Sequence, residues 1–190
     1  MKFVQITDTH IVAPGEKLHG LDTRSRLDAC IADVNANHSD AELCVITGDL
    51  ANHGQLEAYE NLREALSALA LPYHLLIGNH DDRDHFKKMF PRTPCDEHGF
   101  VQCAIETSAG RFILLDSVEQ GERSGSFCER RAAWLKAELD EADGKPVYLF
   151  IHHPPFEIGI PSLDNIRLHD AQHLRSVVSQ YMNIRHIFFG

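Results

Sequence analysis

Four groups of polar residues suited to metal or acid–base chemistry each follow a short apolar run. The groups are Asp8-Thr9-His10, Gly48-Asp49, Gly78-Asn79-His80-Asp81 and His152-His153. The apolar runs before them have the length and composition of buried strands. Ligands on open α/β sheets lie in the crevice beyond the carboxyl ends of the strands. One such group alone is most simply a polar turn, but four of them indicate a metal centre.

The spacing inside two of these groups limits which side chains can act together. Asp8 and His10 are two residues apart, so on extended backbone they face the same side and one metal ion can take both. His152 and His153 are adjacent. On extended backbone they point to opposite faces, so only one of them can be a primary ligand.

The strand and helix patterns predict an alternating α/β chain. Strands are predicted over residues 2–7, 43–47, 73–77, 100–105, 111–115, 147–151 and 184–189. Helices are predicted after an N-cap at Asp22 and over residues 56–69, 84–90, 129–142 and 171–181. The first three strands alternate with helices, which is typical of a mostly parallel sheet. The strands at 100–105 and 111–115 are predicted to form a hairpin around Ala109-Gly110.

Taken together, the four motifs resemble those of the calcineurin-like metallophosphoesterases. The resemblance is closest to the bacterial glycerophosphodiesterases and class III cyclic-nucleotide phosphodiesterases, and it covers nearly the whole chain. It implies a four-layer α/β/β/α sandwich with mixed sheets, in one catalytic domain over residues 1–190. The family closes its site with Gly-His-x-His, of which Ile187-Phe188-Phe189-Gly190 supplies only the glycine. We therefore expect a fold that is incomplete at its C-terminus, in a fragment of a longer protein. The alternative is a natural scaffold that ends at this glycine.

The resemblance also implies a dinuclear metal centre. Asp8, His10 and Asp49 would hold one ion, and Asp49, Asn79 and His152 would hold the second, so Asp49 would bridge the two. Two divalent or trivalent ions are expected, and mixed oxygen and nitrogen ligands without thiolate suit Fe, Mn, Zn or Co.

Five further residues are expected to serve the reaction or the substrate. By resemblance, His80 is not a ligand but protonates or stabilises the leaving alkoxide, with Asp81 as a possible orienting partner behind it. Asn52 and His53 are candidate substrate contacts, and a helix-capping turn is an equal alternative for both. His153 is expected either to support its loop or to contact substrate.

The expected function is that of a metal-dependent phosphodiesterase. A hydroxide generated on the metal centre would attack a small phosphodiester, either a cyclic nucleotide such as cAMP or a glycerophosphodiester. Two alternatives stay open. The metals engage a phosphoryl group that phosphomonoesters share, so a phosphomonoesterase is the first; a non-catalytic scaffold of the same fold is the second.

Composition and charge limit the partners and the compartment. The 190 residues include 28 acidic residues and 18 lysines and arginines, a formal net charge of −10. This acidic balance argues against binding to a nucleic-acid polymer, which needs a basic surface. The five cysteines show no paired spacing, and no apolar signal region or membrane-spanning run is present. We expect a cytoplasmic protein with a small-molecule substrate, no membrane association, and possible assembly into a homo-oligomer.

Overall fold

A computed structural model describes all 190 residues, which form two compact units, Met1–Thr93 and Pro94–Gly190. The first unit contains a sheet of three parallel strands in the order β1-β2-β3. Its elements, in chain order, are β1 (Val4–Ile6), α1 (Thr23–Asn37), β2 (Cys44–Thr47), α2 (Leu56–Leu66), β3 (Tyr73–Leu76) and α3 (Arg83–Met89). Parallel neighbours need a crossover connection, and α1 and α2 supply these connections.

Local sequence explains where the helices of the first unit begin and which side they bury. Asp22 is the N-cap of α1, as predicted, and its carboxylate accepts the backbone N–H of Ser25 at 3.0 Å. This bond satisfies one of the donors that a helix start leaves unpaired. Asp82 caps α3 in the same way. The core of this unit comes from the apolar face of each helix and from β2, whose four residues are all buried.

The second unit contains a mixed sheet of four strands in the order β4-β5-β6-β7. Its elements are β4 (Cys103–Thr107), β5 (Gly110–Leu115), α4 (Glu129–Glu141), β6 (Val147–Ile151), α5 (Pro161–Asp164), α6 (Ala171–Val178) and β7 (Ile184–Phe189). The β4–β5 pair is antiparallel, which confirms the predicted hairpin, whereas β6 pairs in parallel with both β5 and β7.

The two faces of this sheet differ in what they carry. One face packs with α4 and α6 into an aliphatic core that includes Ile113, Leu149, Leu135 and Leu174. The other face carries rows of aromatic rings across the strands. Its ring pairs include Phe112–Phe150 and Phe150–Phe188, each with 5.0 Å between centroids. Side chains alternate between the faces of a strand, so β6 sends Leu149 into the aliphatic core and Phe150 into the aromatic rows.

Some predicted boundaries were wrong for identifiable reasons. Strand β4 begins at Cys103 rather than at residue 100, because two backbone N–H groups of this stretch donate to side chains instead of to a neighbouring strand. Phe100 donates to Asp96 at 2.8 Å and Val101 donates to Asp116 at 2.9 Å. The short helix α5 was not predicted. None of the helices is long and apolar enough to cross a lipid bilayer.

Candidate active site

The loops after β1 and β2 are joined by backbone hydrogen bonds beyond the ends of the strands. The N–H of Asp8 donates to the carbonyl of Gly48 at 3.1 Å, and the N–H of His10 donates to the carbonyl of Asp49 at 2.9 Å. The Thr9 hydroxyl adds a bond to the next carbonyl along, that of Leu50, at 2.8 Å. The residues predicted to hold the first ion therefore lie on two loops that are fixed to each other.

Strained backbone is concentrated at these residues. Asp8, His10 and Asp49 have φ values of 55°, 41° and 49°, in the left-handed region that side chains other than glycine rarely adopt. Only two other non-glycine residues in the chain do so, His19 and Asp143. Such conformations cost about 1–3 kcal/mol each and persist where the surroundings enforce them, typically at functional sites.

Several candidate ligand atoms of the first unit lie close together. His10 Nε2 lies 3.7 Å from Asp8 Oδ1 and 3.6 Å from Asp49 Oδ2. His80 Nε2 lies 3.9 Å from the same Oδ2. The imidazole rings of His10 and His80 are nearly perpendicular, with centroids 4.8 Å apart. One ligand atom from each of His10, Asp49 and His80 lies within 4.8 Å of the other two, so geometry alone would also allow His80 to be a ligand.

The charge balance of this cluster suits a bound cation. The pKa of His10 is raised above its usual value, mainly by the Asp8 carboxylate beside the ring. Burial lowers this pKa, and the negative charge of Asp49 raises it further. The other ring nitrogen, Nδ1 of His10, is buried without a hydrogen-bond partner. Two carboxylates and imidazole nitrogens form a mixed oxygen and nitrogen donor set of the kind that first-row transition metals prefer. The residues present therefore fit a metal ion.

The loop after β3 is fixed to this cluster through Asp49 and Asn52. The backbone N–H of His80 donates to Asp49 Oδ1 at 2.9 Å. The Nδ1 atom of His80 lies 2.8 Å from the carbonyl oxygen of Asn52. A carbonyl only accepts, so Nδ1 carries the hydrogen in this contact and Nε2 is the nitrogen left facing Asp49. Asn79 is half-buried at the start of the same turn.

The expected pairing of Asp81 with His80 was wrong. The Asp81 carboxylate is buried, and its oxygens accept four hydrogen bonds from other residues. The donors are the backbone N–H groups of Leu50 (3.0 Å), Ala51 (3.0 Å) and Gly78 (2.8 Å) and the hydroxyl of Tyr59 (2.9 Å). Because four donors already hold this short carboxylate, it does not bond to the His80 ring. The ring donates to the Asn52 carbonyl instead.

Of the two candidate substrate contacts on the β2 loop, one is buried and one is exposed. Asn52 is 6 % exposed, and its side-chain Nδ2 lies 2.9 Å from Nε2 of His53. His53 is exposed. Besides this contact, Asn52 holds His80 through its carbonyl, a role that side-chain patterns could not reveal because it uses the main chain. Substrate contact by either residue stays a prediction.

His152 and His153 lie in the second unit, where β6 ends, and both are buried. His153 uses both ring nitrogens within its own unit: Nδ1 with the Ser117 hydroxyl at 2.8 Å and Nε2 with the Arg123 carbonyl at 3.3 Å. Burial lowers the pKa of His153 to about 3, so the ring is neutral. Of its two expected roles, these contacts favour loop support, because both ring nitrogens already have partners inside the unit. Substrate contact by His153 stays a prediction.

Comparison with known proteins agrees with the site. The whole chain, residues 1–190, matches the family described as calcineurin-like phosphoesterase. The chain belongs to the calcineurin-like phosphoesterase family. A protein of Rhodopseudomonas palustris named as a probable cyclic nucleotide phosphodiesterase is 40% identical over all of this chain and 70% of its own length. The glycerophosphodiester phosphodiesterase GpdQ of Enterobacter lignolyticus is 30% identical over the same shares of the two chains.

A solved structure supports the fold. The dimetal phosphatase from Danio rerio aligns over 97% of this chain and 79% of its own with a TM-score of 0.76, at 15% sequence identity. The chain therefore has the α/β metallophosphoesterase fold that the motifs predicted, and it is a phosphoester hydrolase by family. Enzymes of this family use a dinuclear metal centre, for which the first unit supplies candidate ligand groups.

Proposed function

We propose that this phosphoesterase hydrolyses a small phosphodiester, either a cyclic nucleotide or a glycerophosphodiester. The observation that carries the proposal is the convergence of His10, Asp49 and His80 at the ends of three parallel strands, in a chain whose relatives are named for these two substrate classes. The nitrogen of His80 lies within 4.8 Å of the ligand atoms of His10 and Asp49, so a phosphate bound to a cation there would lie within its reach.

We propose the ligands by family membership and by position. Asp8, His10 and Asp49 would hold one ion, and Asp49, Asn79 and His152 would hold a second. When bound, such a pair of ions neutralises phosphoryl oxygens and lowers the pKa of water towards ~7. Iron, manganese, zinc and cobalt all suit these ligands. The chain's own contribution is to fix the ligands, which it does by hydrogen bonds and strained turns at the strand ends.

His80 is proposed to deliver a proton to the leaving alkoxide. The Asn52 carbonyl keeps the hydrogen of the neutral ring on Nδ1, so a proton taken up by the ring is carried on Nε2. That nitrogen faces the Asp49 carboxylate at 3.9 Å, inside the cluster. An alkoxide is a poor leaving group in water, and a positioned acid typically contributes ~10²–10⁴-fold to its departure.

The net charge of the chain limits the size of an anionic substrate. A formal net charge of −10 disfavours binding of a long polyanion as substrate. Bound cations would make the site locally positive, which suits one small phosphodiester.

We further propose that the 190 residues act as one catalytic domain in the cytoplasm, with assembly into a homo-oligomer as a possibility. Their cysteines lack the paired spacing of a disulfide framework, which supports a reducing compartment.

Paired turnover measurements test this proposal. The metal-free protein is loaded in turn with Mn, Fe, Zn or Co and assayed on cAMP, a glycerophosphodiester, bis(p-nitrophenyl) phosphate and p-nitrophenyl phosphate. The proposed function predicts metal-dependent hydrolysis with kcat/KM higher on the diesters than on the monoester. A preference for the monoester would make the protein a phosphatase. Metal binding without turnover on any substrate would make it a scaffold.

A further inference from the structure

A buried carboxylate and a buried tyrosine connect the two loops that carry the candidate ligands. Asp81 is 3 % exposed, and three of its four hydrogen-bond donors are backbone N–H groups of the two loops. The N–H groups of Leu50 and Ala51 directly follow Asp49, and the N–H of Gly78 directly precedes Asn79. One side chain therefore fixes the loop after β2 to the loop after β3.

Tyr59 holds this carboxylate from helix α2. Its side chain is fully buried, and its hydroxyl donates to Asp81 Oδ1 at 2.9 Å. The same hydroxyl accepts the backbone N–H of Asp82 at 2.9 Å. The ring packs edge-on against Phe86 and Phe90, with centroids 6.0 Å and 6.3 Å away, so the hydroxyl has a fixed position. The hydroxyl thus holds the β3 loop at two points, the carboxylate of Asp81 and the N–H of the Asp81–Asp82 peptide.

From this arrangement, we infer that Tyr59 is a positioning residue for the metal centre and acts through Asp81. The pair sets the distance between Asp49, which follows β2, and Asn79, which follows β3, before any metal binds. Neither Tyr59 nor Asp81 offers an atom to the metal or the substrate in this role. The inference rests on the proposed metal centre, and it concerns how this chain preorganises that centre.

Metal titration of the metal-free protein tests the inference without any turnover assay. Mn²⁺ affinity is measured by calorimetry for the wild type, Tyr59→Phe, Asp81→Asn and the double variant. Loss of an outer hydrogen-bonding partner typically weakens metal binding by about 10–100-fold, and we expect Tyr59→Phe to lie at the lower end of that range. Asp81→Asn should lose more, because an amide has one acceptor oxygen where the carboxylate has two. The double variant should bind little worse than Asp81→Asn, since both substitutions remove the same link.

Two control variants separate positioning from general stability. Tyr73→Phe removes a hydroxyl from the same unit without touching either loop. Leu62→Val removes a methylene group from the buried face of α2 and lowers stability without removing a hydrogen bond. Both should bind Mn²⁺ as the wild type does. Wild-type affinity in Tyr59→Phe, or an equal loss in Leu62→Val, would overturn the inference while the proposed function stands. A wild-type protein that binds no metal would overturn both.

Discussion

The backbone N–H of His80 donates to Oδ1 of Asp49, while Oδ2 of the same carboxylate faces the His80 ring at 3.9 Å. One oxygen of Asp49 therefore holds the loop after β3, and the other points into the cluster of candidate ligands. The two functions can be separated by substitution. Asparagine at this position keeps an acceptor for the N–H and loses the charge, whereas alanine loses both.

We expect Asp49→Ala to lose both metal ions, since this carboxylate is proposed to serve both. Asp8→Ala should lose mainly one, and Asp49→Asn should hold less metal than the wild type while retaining the folded structure. Metal content measured by elemental analysis, with circular dichroism as a check of folding, tests this expectation. Equal stoichiometry in Asp49→Ala and the wild type would remove Asp49 from the metal centre.

His80→Ala should lose about 10²–10⁴-fold in turnover of an alkyl diester, which is the usual contribution of a positioned general acid. The loss should be much smaller on a nitrophenyl ester, whose leaving group needs no proton. Because His80 is proposed not to be a ligand, metal content should stay at the wild-type level. A variant that lost metal would show that His80 is a ligand, which the 4.8 Å cluster also permits.

Ser117→Ala should destabilise the protein by about 1–3 kcal/mol, because it leaves Nδ1 of the buried His153 without a partner. Urea unfolding measures this loss, and Ser176→Ala, at an exposed serine, is the control with little expected effect. KM for the diester should not change. If His153 contacted substrate, loss of its Ser117 partner would change KM as well as stability, and our assignment of His153 to loop support would be wrong.

Arg131→Gln should cost about 3–5 kcal/mol, the usual effect of removing one partner of a buried ion pair. Arg131 is 1 % exposed, its guanidinium lies 3.9 Å from the Phe100 ring centroid, and Nη2 donates to the Val118 carbonyl at 2.7 Å. Nη2 also lies 3.9 Å from Asp116 Oδ1, which would lose this cation. Arg130→Gln, at the exposed neighbour, should change the unfolding free energy by no more than about 0.5 kcal/mol. Similar stability of the two variants would contradict this account.

The sequence predicted features that depend on local patterns. Apolar runs located the strands, an aspartate before a helical pattern located the start of α1, and polar residues after strands located the candidate ligands. Strand β6 and strand β7 have the predicted bounds. Strand β6 is a compact apolar run that begins after Gly144-Lys145-Pro146 and ends before His152-His153.

Features that depend on long-range hydrogen bonds were missed. Tyr59 fits the apolar side of α2, and nothing near it in the sequence signals a bond to Asp81, 22 residues away. Arg131 carries the pattern of an exposed helix residue but is buried, because Phe100 and Asp116 from distant segments surround it. The partner of His80 was missed for a different reason, since a main-chain carbonyl contributes no pattern of side chains.

The left-handed backbone at Asp8, His10 and Asp49 has a consequence for protein engineering. Glycine adopts such φ values without the strain of about 1–3 kcal/mol that each of these residues carries. A library selected only for thermal tolerance would therefore favour glycine at Asp8 and His10, two of the proposed ligands. At Asp49, glycine would also lose the hydrogen bond that the carboxylate accepts from the N–H of His80. Thermal stability and the proposed metal binding are therefore opposed at Asp8 and His10. A selection that does not require metal binding would favour more stable proteins that lack these proposed ligands.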